Sequence, residues 1–174
     1  MKMIVRALLA LLLVLGVALS LAACSSTPPP EIPEGFQVFE DGYLSFAFPN
    51  SWEKTGASTV ILTPPEGKGN NVTVVYEEKT DLYENMTVDD FNKTVKPSFD
   101  AVDMAVTDVT VEQTTSNGQN VTKLNYSASL SDVSMEQTTF VITIRDRTYS
   151  VTVTEINQDD LLVRTVFDTL FPVH

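Results

Sequence analysis

Residues 139–154 read TFVITI-RDR-TYSVTVT, with Phe140, Ile142 and Ile144 alternating with Thr139, Val141 and Thr143. Past Asp146 the alternation resumes: Tyr149, Val151 and Val153 interleave with Ser150, Thr152 and Thr154. A period of two sends successive side chains to opposite faces of a strand, so this stretch predicts a tight hairpin across Asp146. One face of that hairpin is apolar and the other is mostly threonine and serine. A half-polar face belongs to an antiparallel sheet with one side lightly covered.

The same pattern extends in both directions from this hairpin, whose strands are predicted at Met135–Arg145 and Arg147–Ile156. Upstream, Val106–Ser116 and Gln119–Leu130 flank Asn117-Gly118, a pair that tolerates positive φ at both turn positions and so predicts a second hairpin. Nearer the start, Leu44, Phe46 and Phe48 alternate with Tyr43, Ser45 and Ala47 until Pro49 stops the strand. Thr59–Thr63 and Val72–Glu77 follow as strands around the turn-rich Pro64–Asn71. Between these halves the period changes. Val88, Phe91, Val95, Phe99 and Val102 fall at helical spacing, and Thr87 with Asp90 makes a capping-box-like start. Pro97 lacks the N–H that the Lys93 carbonyl would accept, which predicts a kink or break near Lys96. Asn157–Asp160 opens a closing helix with Leu162, Val163, Val166, Phe167 and Leu170 on its buried face. The expected fold is α+β. It has an antiparallel sheet of about six to seven strands, with two main helices, Val88–Met104 and Leu161–Phe171, packed mainly on one face.

The N-terminal part obeys different rules. Lys2 and Arg6 precede an uncharged run from Ala7 to Ala23, and Leu21-Ala22-Ala23-Cys24 closes it with the chain's one cysteine. A basic start, an apolar run and small residues before the cleavage point describe a secretory signal. The four closing residues resemble the lipobox of bacterial lipoproteins. That resemblance implies cleavage after Ala23 and lipidation of Cys24, with residues 1–23 as signal peptide. Two readings compete with it: an uncleaved membrane helix, since such a run approaches spanning length, and cleavage nearby by ordinary signal peptidase that leaves a free thiol. Ser25–Gly35 (SSTPPPEIPEG) holds four prolines and reads as an extended tether. At about 3 Å per residue it would hold the domain up to roughly 30 Å from the membrane. The domain itself is expected over 36–174.

The chain carries a formal charge of −12, and removing Lys2 and Arg6 with the signal leaves 9 bases against 23 acids. Such a field repels nucleic acid, which is excluded as a partner, and keeps the surface solvated. With Cys24 lipidated no disulfide can form. The 151 residues that remain suffice for one packed core.

Asp41-Gly42-Tyr43-Leu44-Ser45-Phe46-Ala47-Phe48-Pro49, with Trp52 three positions on, resembles the opening strand of the Mog/PsbP-like superfamily, which includes the extrinsic P protein of photosystem II. The likeness runs from about Phe36 to Phe171. It implies a central antiparallel sheet sandwiched with helices and mostly non-enzymatic roles in binding or assembly. It supplies no catalytic set to transfer.

The residues point the same way. His174 is the only histidine and the last residue, so Ser–His and Cys–His nucleophilic sites and a His/Cys zinc site are excluded. No cofactor and no metal are expected. Of the acidic pairs, Asp89-Asp90 and Asp159-Asp160 suit helix starts, and Glu77-Glu78 would point to opposite faces of a strand. Asp100 and Asp103 would share a helical face. Trp52 is expected to pack as a corner against the sheet, and Tyr76, Tyr83, Tyr126 and Tyr149 to sit at strand edges with hydroxyls in water. The expectation is an extracytoplasmic lipoprotein acting as a non-enzymatic binding or accessory module for an envelope protein or small ligand. A small carboxylate-dependent hydrolase of envelope glycans or peptides and a purely structural spacer are the alternatives. Ser25 is not an inner-membrane retention aspartate, which leaves an outer-membrane destination open in a host with two membranes.

Overall fold

The computed structural model describes residues 28–66, 69–156 and 159–173; the Leu21–Cys24 motif, Asn157 and His174 lie outside them. Ten strands and three helices follow one another in these residues. The strands are β1 (Phe36–Glu40), β2 (Leu44–Pro49), β3 (Glu53–Thr55), β4 (Val60–Thr63), β5 (Asn71–Glu78), β6 (Ala105–Ser116), β7 (Gln119–Leu130), β8 (Val133–Ile144), β9 (Arg147–Glu155) and β10 (Phe171–Pro172). Helices α1 (Val88–Thr94) and α2 (Lys96–Asp100) stand between β5 and β6, and α3 (Asp160–Thr169) precedes β10.

A seven-stranded antiparallel sheet in the order β3-β4-β5-β9-β8-β7-β6 forms the centre of the molecule. The expected strand count holds for this sheet, but its membership differs. The Leu44–Phe48 strand belongs instead to a second, three-stranded sheet, β1-β2-β10, and β3 takes its place in the large one. The hairpins form as the turn chemistry demands. Asn117 and Gly118 take φ of 47° and 80°, the left-handed pair that matches strand twist. At the other hairpin Arg145 takes φ of 56° and Ile144 pairs with Arg147, so the turn consumes two residues rather than Asp146 alone.

Register assigns each side chain to a face. Phe140 lies beside Val151, and Ile142 beside Tyr149, with Val74 and Tyr76 next in those rows. This first face packs against Phe39, Leu44, Phe46 and Phe48 of the small sheet, against Leu162 and Val166 of α3 and against Leu170 at its C-cap. Val141, one residue out of phase, belongs to the opposite face with Leu124, Tyr126 and Ala128, where Phe91, Val95 and Phe99 cover them. The sequence predicts both helices mainly on one face; they lie instead on opposite faces. With β2 and α3 already filling the first side, α1 and α2 bury their apolar residues on the second.

Local signals set where the helices begin and end. The Thr87 side chain accepts from Asp90 N–H, and Asp90 accepts from Thr87 N–H, completing the capping box. The Thr87 bonds hold the Asp90 carboxyl below its usual range. Pro97 ends the first helix, so the expected Val88–Met104 element is two short helices meeting at Val95. Only Phe91 of its stripe is fully buried, while Val88 and Val102 remain exposed. Asp159 caps α3, which ends at Thr169; Phe171, expected in the helix, pairs with Ser45 instead. Asp103 lies past α2 at φ 57°, and Asp100 pairs with Lys96, so the two aspartates share no helical face.

Candidate polar groove and its surroundings

On the second face the cover stops short. Residues Lys79–Met86 cross the sheet end as a loop fixed by backbone bonds, with Lys79 N–H donating to Asp146 C=O at 2.9 Å and Thr80 N–H to Thr148 Oγ1 at 3.1 Å. Between this loop and the ends of β6, β7 and β8 opens a groove of about 840 Å³. Its floor is a cross-strand row, Gln113–Thr122–Val141. Thr115 and Asn120 form the next row and complete that edge. Thr122 Oγ1 lies 2.8 Å from the Tyr83 carbonyl oxygen and 2.9 Å from Gln113 Oε1, which locks loop to floor.

Hydroxyls and amides dominate this lining, with Lys79 and Glu84 as opposing charges. Arg145 also borders it, but its guanidinium turns away, over the Tyr43 ring at 5.2 Å and onto the Val173 carbonyl at 3.3 Å. Burial, and then the Glu77 charge, push the Tyr83 hydroxyl above its ordinary range, so it stays protonated. Glu84 is the one carboxylate in the lining. Among the described residues no three His, Cys, Asp or Glu side chains are grouped to hold a metal ion.

Beyond the groove the second face continues as a hydroxyl ladder in which Thr139 and Thr148 are buried and Thr143 and Thr152 half-buried. Thr73, Thr152 and Thr139 stand in one row, and Thr139 and Thr152 hydroxyls meet at 2.9 Å. Beyond the intervening Val141–Ser150 row, Thr143 pairs with Thr148 at 3.1 Å. These bonds satisfy the half-polar face that the alternation predicts.

Tyr126 and Tyr149 depart from expectation, while Tyr76 stays exposed. Tyr149 is fully buried in the middle of the sheet, and its hydroxyl donates to Asp41 Oδ2 at 2.9 Å. Asp41 Oδ1 in turn accepts from Tyr43 and Leu44 N–H, both at 3.0 Å, tying the first hairpin to the large sheet. Burial, and then Asp41, push the Tyr149 pKa up to about 12. Arg147 stacks between Tyr43 and Tyr76, its guanidinium carbon 4.2 and 4.3 Å from their ring centres. Tyr126 is buried too, with its hydroxyl 3.4 Å from Thr139 Oγ1. Alternation places a residue on a face but does not reveal that a partner 108 positions away will cover it. Trp52 packs against the first core as the corner expected of it.

A second, apolar groove of about 530 Å³ lies on the outside of the small sheet. Pro28–Pro30 and Ile32 wall it on one side, Val38, Phe171 and Val173 on the other. Pro30 and Ile32 are half-buried, so the proline-rich segment is not free along its whole length. No membrane-length apolar helix occurs among the described residues.

No protein-family model matches the chain, and no curated protein matches it. Among solved structures it is similar to a protein of Bacteroides thetaiotaomicron (TM-score 0.53, 9% identity) over 79% of this chain and 48% of that one. The chain thus spans about half the length of that protein, and the likeness is one of fold. A Pseudomonas aeruginosa protein of unknown function aligns over 79% of this chain and 96% of its own, at TM-score 0.43 and 14% identity.

Proposed function

We propose that the chain is an extracytoplasmic lipoprotein, cut after Ala23 and anchored through lipid on Cys24. Its domain, read as Mog/PsbP-like, acts as a non-enzymatic binding module of the cell envelope. The ligand class is neutral and rich in hydroxyls, as in a glycan strand. The observation that carries this reading is the lining of the polar groove. Asn85, Thr115 and Asn120, all exposed, present groups that both donate and accept hydrogen bonds, the capacity that matches sugar hydroxyls, above a floor that Thr122 and Gln113 bond together. Lys79 and Glu84 balance each other there, while the acidic surface elsewhere repels polyanions. A single carboxylate in the groove supports binding over two-carboxylate hydrolysis. The Asp41–Pro49 hairpin and the packed Trp52 support the family reading.

Titrating the lipidated chain in detergent micelles with a tetramer of N-acetylglucosamine, followed by backbone amide NMR, tests the site. Saturable shifts confined to residues 79–86 and 113–122 are expected, and Thr115→Val with Asn120→Leu, which spare the Thr122 bonds that fix the loop, should weaken binding at least tenfold. Shifts that never saturate, or that map elsewhere, would count against it. The anchor has its own check: Cys24→Ala should abolish incorporation of labelled palmitate and release the chain from membranes.

A further inference from the structure

We infer that the anchored domain is held with its three-stranded sheet toward the bilayer and its polar groove turned outward, an orientation that rests on Cys24 being the lipid anchor. By composition alone the proline-rich segment would be a long spacer. Its second half is occupied: Pro30 and Ile32 are half-buried against the small sheet, and Phe36 N–H closes a turn onto Pro33 C=O at 3.2 Å. Four residue steps separate Cys24 from Pro28, and a leash of such a length spans at most about 14 Å.

The layer order decides which side that leash leaves from. Val38 and Glu40 pair with Ala47 and Ser45 on the outer face of the small sheet, out of phase with Phe39 and Phe46, which face the core. The proline segment borders Val38 and Glu40, so it lies on that outer side. The Gln113–Thr122–Val141 floor is on the far face of the large sheet. Stacked sheets sit about 10 Å apart, so two layers and their side chains separate the groove from the anchor. A leash this short cannot let the domain roll over through its own thickness. Exposed Glu31, Glu34 and Glu40 on the anchor side give no attraction to anionic head groups. Tether length, not lipid affinity, therefore sets the orientation, and the groove opens to whatever lies beyond the membrane.

The test uses the full lipidated chain in phosphatidylcholine vesicles carrying a nitroxide head-group quencher. Since Cys24 is acylated in this reading, Val38→Cys and Asn120→Cys each add a single thiol for a fluorescent probe. Quenching at position 38 should exceed that at position 120 at least threefold, with little dependence on salt. Inserting ten Gly/Ser residues between Thr27 and Pro28 should shrink that ratio toward one. Equal or reversed quenching in the unmodified chain overturns the orientation, and a ratio indifferent to the insertion overturns the leash as its cause. A chain that fails to float with the vesicles overturns the anchor reading and the orientation with it, whereas loss of glycan binding alone leaves both standing.

Discussion

The two faces of the seven-stranded sheet are made from neighbouring residues and have opposite fates. Phe140, Ile142, Tyr149, Val151 and Val153 lie at or below 1% exposure beneath the small sheet and α3. Their sequence neighbours Thr139, Val141, Ser150 and Thr152 face a side that α1 and α2 cover only in part. A sealed apolar face contributes stability, because every side chain removed from water there adds roughly 1.5–3 kcal/mol. A half-covered face keeps its hydroxyls in rows bonded to one another, some buried and some half-buried, and the polar groove sits at its end. Stability and recognition are thus assigned to opposite sides of the same strands.

This contrast can be broken most forcefully on the sealed side. Phe140→Ala removes a ring with no exposure that also meets Phe167 at 5.3 Å, and should cost about 3–5 kcal/mol in denaturant unfolding. The second face offers the comparison. Phe91→Ala should cost about 3 kcal/mol, with amide exchange rising in α1 and α2 while β5, β8 and β9 stay protected. Protection lost equally in both regions would mean that the two cores unfold as one.

Smaller effects sharpen the picture. Tyr149→Phe leaves Asp41 Oδ2 without its donor and should cost about 1–2 kcal/mol. The Tyr149 pKa of about 12 exceeds the 10 of a free tyrosine. Its contribution is therefore complete below pH 10 and declines as pH rises toward 12, a slope that Tyr149→Phe should flatten. Glu155 has the gentlest effect. Burial first, then Asp159, Asp160 and Glu136, raise its carboxyl above the usual range, and Glu136 is its direct cross-strand neighbour. Glu155→Gln keeps an acceptor for Asp159 N–H and should stabilise the fold at pH 7 by about 0.5–1 kcal/mol. Because a raised carboxyl favours the native state only once protonated, that gain should vanish as pH falls into the carboxylate range. Thermal melts at pH 7 and pH 4 measure it.

Most of the hairpin architecture is legible in the chain. Asn117-Gly118 sets one turn, alternation sets the strands on either side, and Thr87 with Asp90 starts a helix where the period changes. Pro97 breaks that helix as its missing N–H requires. The groove was not legible. Its walls come from Lys79–Met86 and from strand residues that start only at Gln113, and nothing in their spacing says that they meet. Nor does a two-residue strand such as Phe171–Pro172 carry a period by which to recognise it.

By itself the sequence determined the strand and helix types, the hairpin turns, the polar–apolar division of the sheet and the excess of acid over base. These follow from local sterics, hydrogen bonding and periodicity, which act over a few residues. Tertiary structure alone decided which layer covers which face, that β2 leaves the large sheet to pair with β1 and β10, and where Tyr149 finds Asp41. Those outcomes depend on burying two apolar faces at once, and contacts between residues a hundred positions apart leave no mark on local pattern.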